Sequence, residues 1–144
     1  MGRSAVSDAL LAQLKTVNGF DAGSSGRAER HSEACLNEGI DRAVIIYNDH
    51  FEQRPAAIGR LMEVDWYFKV EMWIRHNNDI MQARIDSDTY LFNIMDKIQS
   101  DYTLGGVCLN AIVADGVVVH DNLVIGGKAF LLESLSIKAT EYLS

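Results

Sequence analysis

The clearest order in the chain is a two-residue alternation over residues 61–75, LMEVDWYFKVEMWIR. Val64, Trp66, Phe68, Val70, Met72 and Ile74 alternate with Glu63, Asp65, Tyr67, Lys69, Glu71, Trp73 and Arg75. Successive strand side chains point to opposite faces, so the pattern predicts a strand with one buried and one charged face. It is longer than the usual ~5–6 residues, and such a strand either bends or extends beyond its own domain to meet a partner. Trp66 falls on the apolar side and belongs to the core. Trp73 and Tyr67 fall on the charged side, where an aromatic is either incidental or an interface anchor. A second strand is predicted over residues 41–48, DRAVIIYN, rich in Val, Ile and Tyr. Between the two, residues 49–59 contain the sole proline, Pro55, and read as a long loop or the tip of an extended hairpin.

Helical periodicity marks two other segments. Over residues 4–17, Val6, Leu10, Leu14 and Val17 recur at helical spacing, with Leu11 beside them. Ser4 is a plausible N-cap and Asn18-Gly19 a plausible stop. Over residues 88–102, Leu91, Ile94, Met95, Ile98 and Tyr102 form one apolar stripe. Ser87 or Asp88 is the expected cap, residues 76–79 (HNND) a turn, and the assignment of residues 80–85 stays open. Residues 20–26 are loop-like in Gly and Ser. Residues 27–37 suggest a short polar helix with Ala28, His31, Ala34 and Cys35 on one side, stopped by Gly39.

The last third reads as strands. After Gly105-Gly106 come residues 107–114, then Asp115-Gly116, a strong two-residue hairpin signal. Residues 117–120 continue as strand, Asp121-Asn122 offers another turn, and Gly126-Gly127 precedes a closing strand over residues 128–142. Leu131, Leu135, Ile137 and Ala139 are its expected buried set. Glu133 interrupts that set and predicts a bulge or register shift nearby. Strand runs bracketing one long helix imply an α+β fold: a mainly antiparallel sheet of about four to five strands with two or three helices packed on one face. The expected organisation is a single domain over residues 1–144.

Charge narrows the function classes. A net charge of −7 and a pI near 4.9 argue against a surface that grips nucleic-acid phosphates, and against an anionic membrane partner. No stretch approaches the ~20 apolar residues of a membrane span, and the N-terminal stretch lacks a signal-peptide core. The two cysteines, Cys35 and Cys108, make no disulfide framework, so a reducing compartment is the default.

The candidate chemistry is thin. His31 and Cys35 stand four apart and would share a helix face, yet two ligands make no metal site. His76 and His120 fall in expected turns. Asp86 and Asp88 flank Ser87, where paired carboxylates serve either acid–base chemistry, a divalent cation or, more simply, the positive end of a helix. Gly105-Gly106 follows a helix C-terminus, the partly negative end, and so does not suit a phosphate; a left-handed helix stop is the better account. No catalytic residues, metal ligands or cofactors are expected. The alternative of a small ligand-binding or enzymatic domain would need Asp86, Asp88, His76 or Cys108 to converge on a pocket.

The order of elements and four of these stretches resemble the tail terminator (tail completion) proteins of long-tailed bacteriophages. ALLAQLKTVNGF resembles the opening helix and its turn, VDWYFKVEMWIR the central strand, SDTYLFNIMDKIQSDYTLGG the second main helix with a terminal glycine pair, and GGKAFLLESLSIKATEYL the last strand. The resemblance covers nearly the whole chain as architecture; the segment at residues 27–37 fits the pattern less well. It implies a structural virion protein: a homo-oligomer, as a hexameric ring, on the completed tail tube. The ring ends tube polymerisation, meets the tail tube protein and a neck or head-completion protein, and lets genome DNA pass without specific binding. It implies assembly in the host cytoplasm and residence in the tail or neck of the virion. A head-completion or stopper protein is the near alternative. On this reading residues 50–60 are exposed and ordered by contact, and Phe51, Arg54, Pro55, Tyr67 and Trp73 are the candidate interface residues.

Overall fold

The computed structural model describes residues 2–21, 26–32, 36, 40–57 and 59–143. In chain order the elements are α1 (Arg3–Leu14), β1 (Gly26–Arg30), β2 (Arg42–Pro55), β3 (Met62–His76), α2 (Ile80–Ser100), β4 (Asn110–Ile125) and β5 (Lys128–Leu143). The strands form a five-stranded sheet in the order β1-β2-β3-β5-β4. β1 runs parallel to β2, and the other neighbours are antiparallel. The expected α+β architecture, a mostly antiparallel sheet with helices on one face, is what the chain adopts.

The alternation in β3 explains the main core. Phe68, Val70, Met72 and Ile74 are buried on one face, joined by Val44 and Ile46 of β2 and by Leu131, Leu135, Ile137 and Ala139 of β5. Both helices close over that face, α1 through Val6, Leu10 and Leu14, α2 through Ala83, Ile94 and Ile98. The apolar stripe predicted for the first helix is thus its core face, continued by Val17 and Phe20 in the turns that follow. The helix starts at Arg3, with Gly2 at the cap position and no side-chain cap, so Ser4 lies inside its first turn.

The opposite face of the sheet corrects the reading of β3. Trp73 is not on an exposed charged face. It is only 2% exposed and sits in a second core with Leu36, Ile40, Ala43, Ile45, Phe130 and Leu132. Its ring meets Phe130 edge-on at 5.8 Å between centroids. β3 lies mid-sheet, and around Trp73 both of its faces are covered by its own chain.

Several boundaries also differ. Residues 27–30 are not helical but part of β1, pairing from Gly26↔Arg42 to Arg30↔Ile46, with Ala28 directed into the main core. His31 leaves the strand with φ +56°; Cys35 and Gly39 lie outside the described residues. α2 begins at Ile80, because Asp79 caps it: its Oδ1 accepts from the Gln82 amide at 3.0 Å. Ser87 and Asp88 are therefore interior to the helix, not its cap, and Tyr102 falls beyond its end. Gly105 and Gly106 have φ of +74° and +89°, the left-handed stop expected, but residues 101–108 turn and bend before β4 starts at Asn110.

Asp115-Gly116 is not a hairpin turn, nor is Asp121-Asn122. β4 runs through both, and its irregularities are bulges against β5. Gly116 is there for space: a Cβ would come 2.8 Å from Leu135 Cδ2. The hairpin turns instead at Gly126-Gly127, both with positive φ (+57° and +78°), as a two-residue loop that follows the sheet twist requires.

Glu133 does what its intrusion into an apolar set implied, on one side only. The β3–β5 register runs unbroken through Met72↔Glu133, while β4 shifts between Val118↔Glu133 and His120↔Leu132. Glu133 lies under α2, where Ser87 Oγ donates to it at 3.4 Å. Burial pushes its carboxyl above the ordinary range; the Ser87 bond opposes this and the nearby Asp88 charge adds to it. A carboxyl whose folded pKa is raised holds its proton better when folded, so it costs stability as pH rises through that range. Glu133→Gln should therefore stabilise at pH 7, with the gain vanishing below the ordinary glutamate pKa of about 4.3. Urea midpoints at pH 7 and pH 4 test this; an equal effect at both would refute it.

A candidate interaction surface on the β2–β3 arm

β1 pairs with β2 as far as Ile46, so residues 48–55 form an edge that, among the described residues, pairs with β3 alone. The open segment and its partner make an arm, closed by the Ala56 amide donating to the Leu61 carbonyl at 3.0 Å. This is the extended-hairpin form of the expectation for residues 49–59. A bulge at Asn48/His50 marks the start of the arm, and Pro55, which has no amide to donate, ends β2 opposite Met62.

Pairing sets the arm's two surfaces. Phe51 pairs with Trp66, rings 5.5 Å apart, and Phe51 remains 52% exposed. Trp66 Nε1 donates to Glu141 Oε1 at 2.8 Å, the Gly2 amide donates to the same oxygen at 2.8 Å, and the Arg3 guanidinium lies 5.9 Å from the Trp66 ring. This surface of the arm is thereby tied to the start of α1.

The other surface is polar and already organised. His50 stacks on Tyr67 at 4.2 Å with rings nearly parallel. Tyr67 donates to Glu52 at 3.4 Å; partial burial and that carboxylate raise its pKa. Arg54 donates to Glu63 at 2.7 Å and to Asp65 at 2.9 Å, while Thr140 donates to the other Asp65 oxygen at 2.6 Å. Asp65 is 3% exposed. Burial alone would raise its carboxyl, but the bonds from Arg54 and Thr140 outweigh it and hold the pKa below the ordinary value. The Arg54 guanidinium is held well above its ordinary range by the two carboxylates. Such a surface offers a fixed aromatic and charged relief to a partner.

Four of the five candidate interface residues, Phe51, Arg54, Pro55 and Tyr67, thus share the arm, and Trp73 is separated from them in the second core. Tyr67 stands on the polar side, Phe51 on the other. Sequence reasoning missed Asp65 and Thr140, which anchor Arg54. A buried aspartate within a charged alternation carries no signal until its neighbours are known.

The residues required by an enzymatic reading are divided. His76 and Asp86 line one polar cleft of about 490 Å³, together with Asp41, Arg42, Arg75 and Tyr90. His76 is the buried last residue of β3, its Nε2 3.0 Å from the Asp121 carbonyl, and Asp86 accepts from Gln82 at 2.9 Å. Asp88 lies exposed on α2 outside that cleft. Cys108 is buried beside the Tyr102 carbonyl, its pKa raised first by burial. His120 lies within β4, not in a turn. Among the described residues no cluster of three His, Cys, Asp or Glu has metal-holding geometry, and no helix is long and apolar enough to cross a membrane.

No known family profile matches the chain. No curated protein sequence matches it. Among solved structures, the fold is similar to that of the sheath/tube terminator of PVC, an extracellular contractile injection system, seen in its extended state. The TM-score is 0.51 at 15% sequence identity, over 100% of this chain and 57% of that one, so this chain spans little more than half the terminator's length. At that identity the likeness is one of fold, and the fold it shows is terminator-like.

Proposed function

We propose that this chain is a structural subunit that closes the end of a tail-like tube. Its work is to form a homo-oligomeric ring, as a hexamer, that stops polymerisation of the tube protein and joins the tube to a neck or head-completion component. In a phage tail the genome passes through that ring without sequence-specific contact. The protein then belongs to the tail or neck of the particle and is assembled in the host cytoplasm. The observation that carries this reading is the terminator-like fold over the full length of the chain. The arm supports it: Phe51, Arg54 and Tyr67 are held in place by ring contacts and hydrogen bonds, Pro55 ends the strand beside them, and all four remain available to a tube or neck subunit.

The test is end-capping in vitro. Adding purified protein to polymerising tube subunits should shorten the tubes and place a ring at one end, visible by negative-stain microscopy. Phe51→Glu combined with Tyr67→Ala should weaken capping by about tenfold or more, the loss expected for two anchors of an interface. Tubes that grow to unchanged length with bare ends would refute the proposal. Rings that bind only the neck component would reassign the chain to the stopper role.

A further inference from the structure

Most of the large apolar side chains that stay exposed lie on α2 and β4; Phe51, Tyr102, Leu109 and Tyr142 lie elsewhere. α2 leaves Met81, Ile85, Phe92 and Met95 in solvent, with Phe92 at 67%. Their spacings of four, seven and three residues make a second helical stripe, beside the buried one carried by Ala83, Ile94 and Ile98. On β4 the three valines at residues 117–119 are also exposed, and Val118, opposite Glu133, shares the α2 side of the sheet. β4 ends the sheet, and among the described residues no strand pairs with its outer side. Its bulges bend it, yet it carries neither lysine nor proline, two common means of protecting an edge from another chain. Between α2 and β4 run two adjoining grooves of about 380 and 230 Å³ that share Met95 and Val113. An apolar surface of this kind marks a protein contact.

Charge identifies the occupant. Asp88, Asp96 and Asp115 stand exposed around this face, and Arg84 is already paired with Asp121. At the opposite edge of the sheet, Lys15 and Arg27 outnumber Glu29 in a cleft of about 260 Å³ beside Phe20 and Ala28. A second cleft, of about 340 Å³, holds Arg3, which faces the Trp66 ring, and Arg30, which is paired with Asp8 as Arg84 is with Asp121, so Lys15, Arg27 and Arg3 carry the excess positive charge of this edge. The acidic, apolar edge and the basic edge lie at the two ends of one sheet. We infer that the α2–β4 edge of one copy docks on the α1–β1 edge of a second copy. Copies that each carry a net charge of −7 repel on average, so their contact depends on such a local match. Two different surfaces meeting in this way make a head-to-tail contact, which closes into a ring when the rotation allows. The inference deepens the ring reading and rests on it, naming the surfaces that build the ring.

Light scattering on the full chain tests it. Wild type should run at several times the 16.0 kDa protomer mass. Phe92→Glu and, separately, Val118→Gln should run at the protomer mass with unchanged thermal unfolding. The double variant Lys15→Glu/Arg27→Glu should do the same. Mixing it in equal amounts with Phe92→Glu should give dimers and nothing larger, because each partner keeps one working edge. A wild type that stays monomeric, alone and on tubes, overturns the ring reading and this inference together. A wild type that assembles while both α2–β4 variants assemble equally well overturns only the docking surface. Variants that keep self-assembly but lose tube binding would assign the face to the tube protein. Single variants that are monomeric but yield no dimer on mixing would overturn the pairing with the α1–β1 edge.

Discussion

Trp73→Ala should lower the stability of the protomer by about 3–5 kcal/mol, the range for removing a large aromatic from a packed core. Trp73 is 2% exposed, and beside Leu36 and Ile40 the core around it is built from strand residues, Ala43 and Ile45 of β2 and Phe130 and Leu132 of β5. Those side chains are fixed by sheet pairing (Trp73 opposite Ala43 on one side and Leu132 on the other), so they cannot collapse into the space. The indole nitrogen is buried with no hydrogen-bond partner among the described residues. Trp73→Phe should therefore cost much less, since it removes an unpaired donor along with some volume. Urea unfolding of both variants measures this. An unchanged midpoint for Trp73→Ala, with loss of oligomer, would return the residue to the interface.

The misreading of Trp73 has a physical source. A two-residue alternation says which side chains share a face, and it did so correctly from Phe68 to Ile74. It does not say that the other face is wet. That follows only for a sheet packed on one side, whereas strands buried on both faces read as continuous apolar runs. Two such runs were in view, at residues 43–46 and 130–132, and all of those positions are buried. They flank β3 on both sides, so their dry faces required a dry patch at Trp73. Other elements were harder to read. β1 spans five residues, too few to show a period, and its place depends on a parallel pairing with β2. Asp115-Gly116 has turn chemistry, but the glycine answers to Leu135 across the ladder. The arm itself was legible, because Pro55 and the polar run before it suit an exposed edge. Its internal bonding was not, since Asp65, Arg54 and Thr140 meet across three strands.

That three-strand junction yields the second large effect. Asp65→Ala should destabilise by about 2 kcal/mol at pH 7, because it strands the Thr140 hydroxyl and releases Arg54 to Glu63 alone. The dependence on pH identifies the cause. The folded pKa of Asp65 lies below its ordinary value, so its stabilisation is complete above the ordinary aspartate pKa of about 3.9 and is lost as pH falls through the folded value. The gap between wild type and Asp65→Ala should then be widest near neutrality and narrow steadily below pH ~4. Thr140→Val, which removes a neutral donor and leaves the Arg54 pair intact, should cost less. A second observable locates the damage. Amide exchange should accelerate in Asp65→Ala along residues 50–55 and change little in the main core, because among the described residues those positions pair with β3 alone, whereas residues 62–67 pair with β5 as well. A uniform loss of protection across the sheet would mean that Asp65 supports the whole fold. A gap that persists undiminished at low pH would mean that the carboxylate charge is not what holds the arm. If the arm is the tube-facing surface, the same variant should cap tubes poorly while still forming rings, because ring contacts are assigned to the sheet edges and not to the arm.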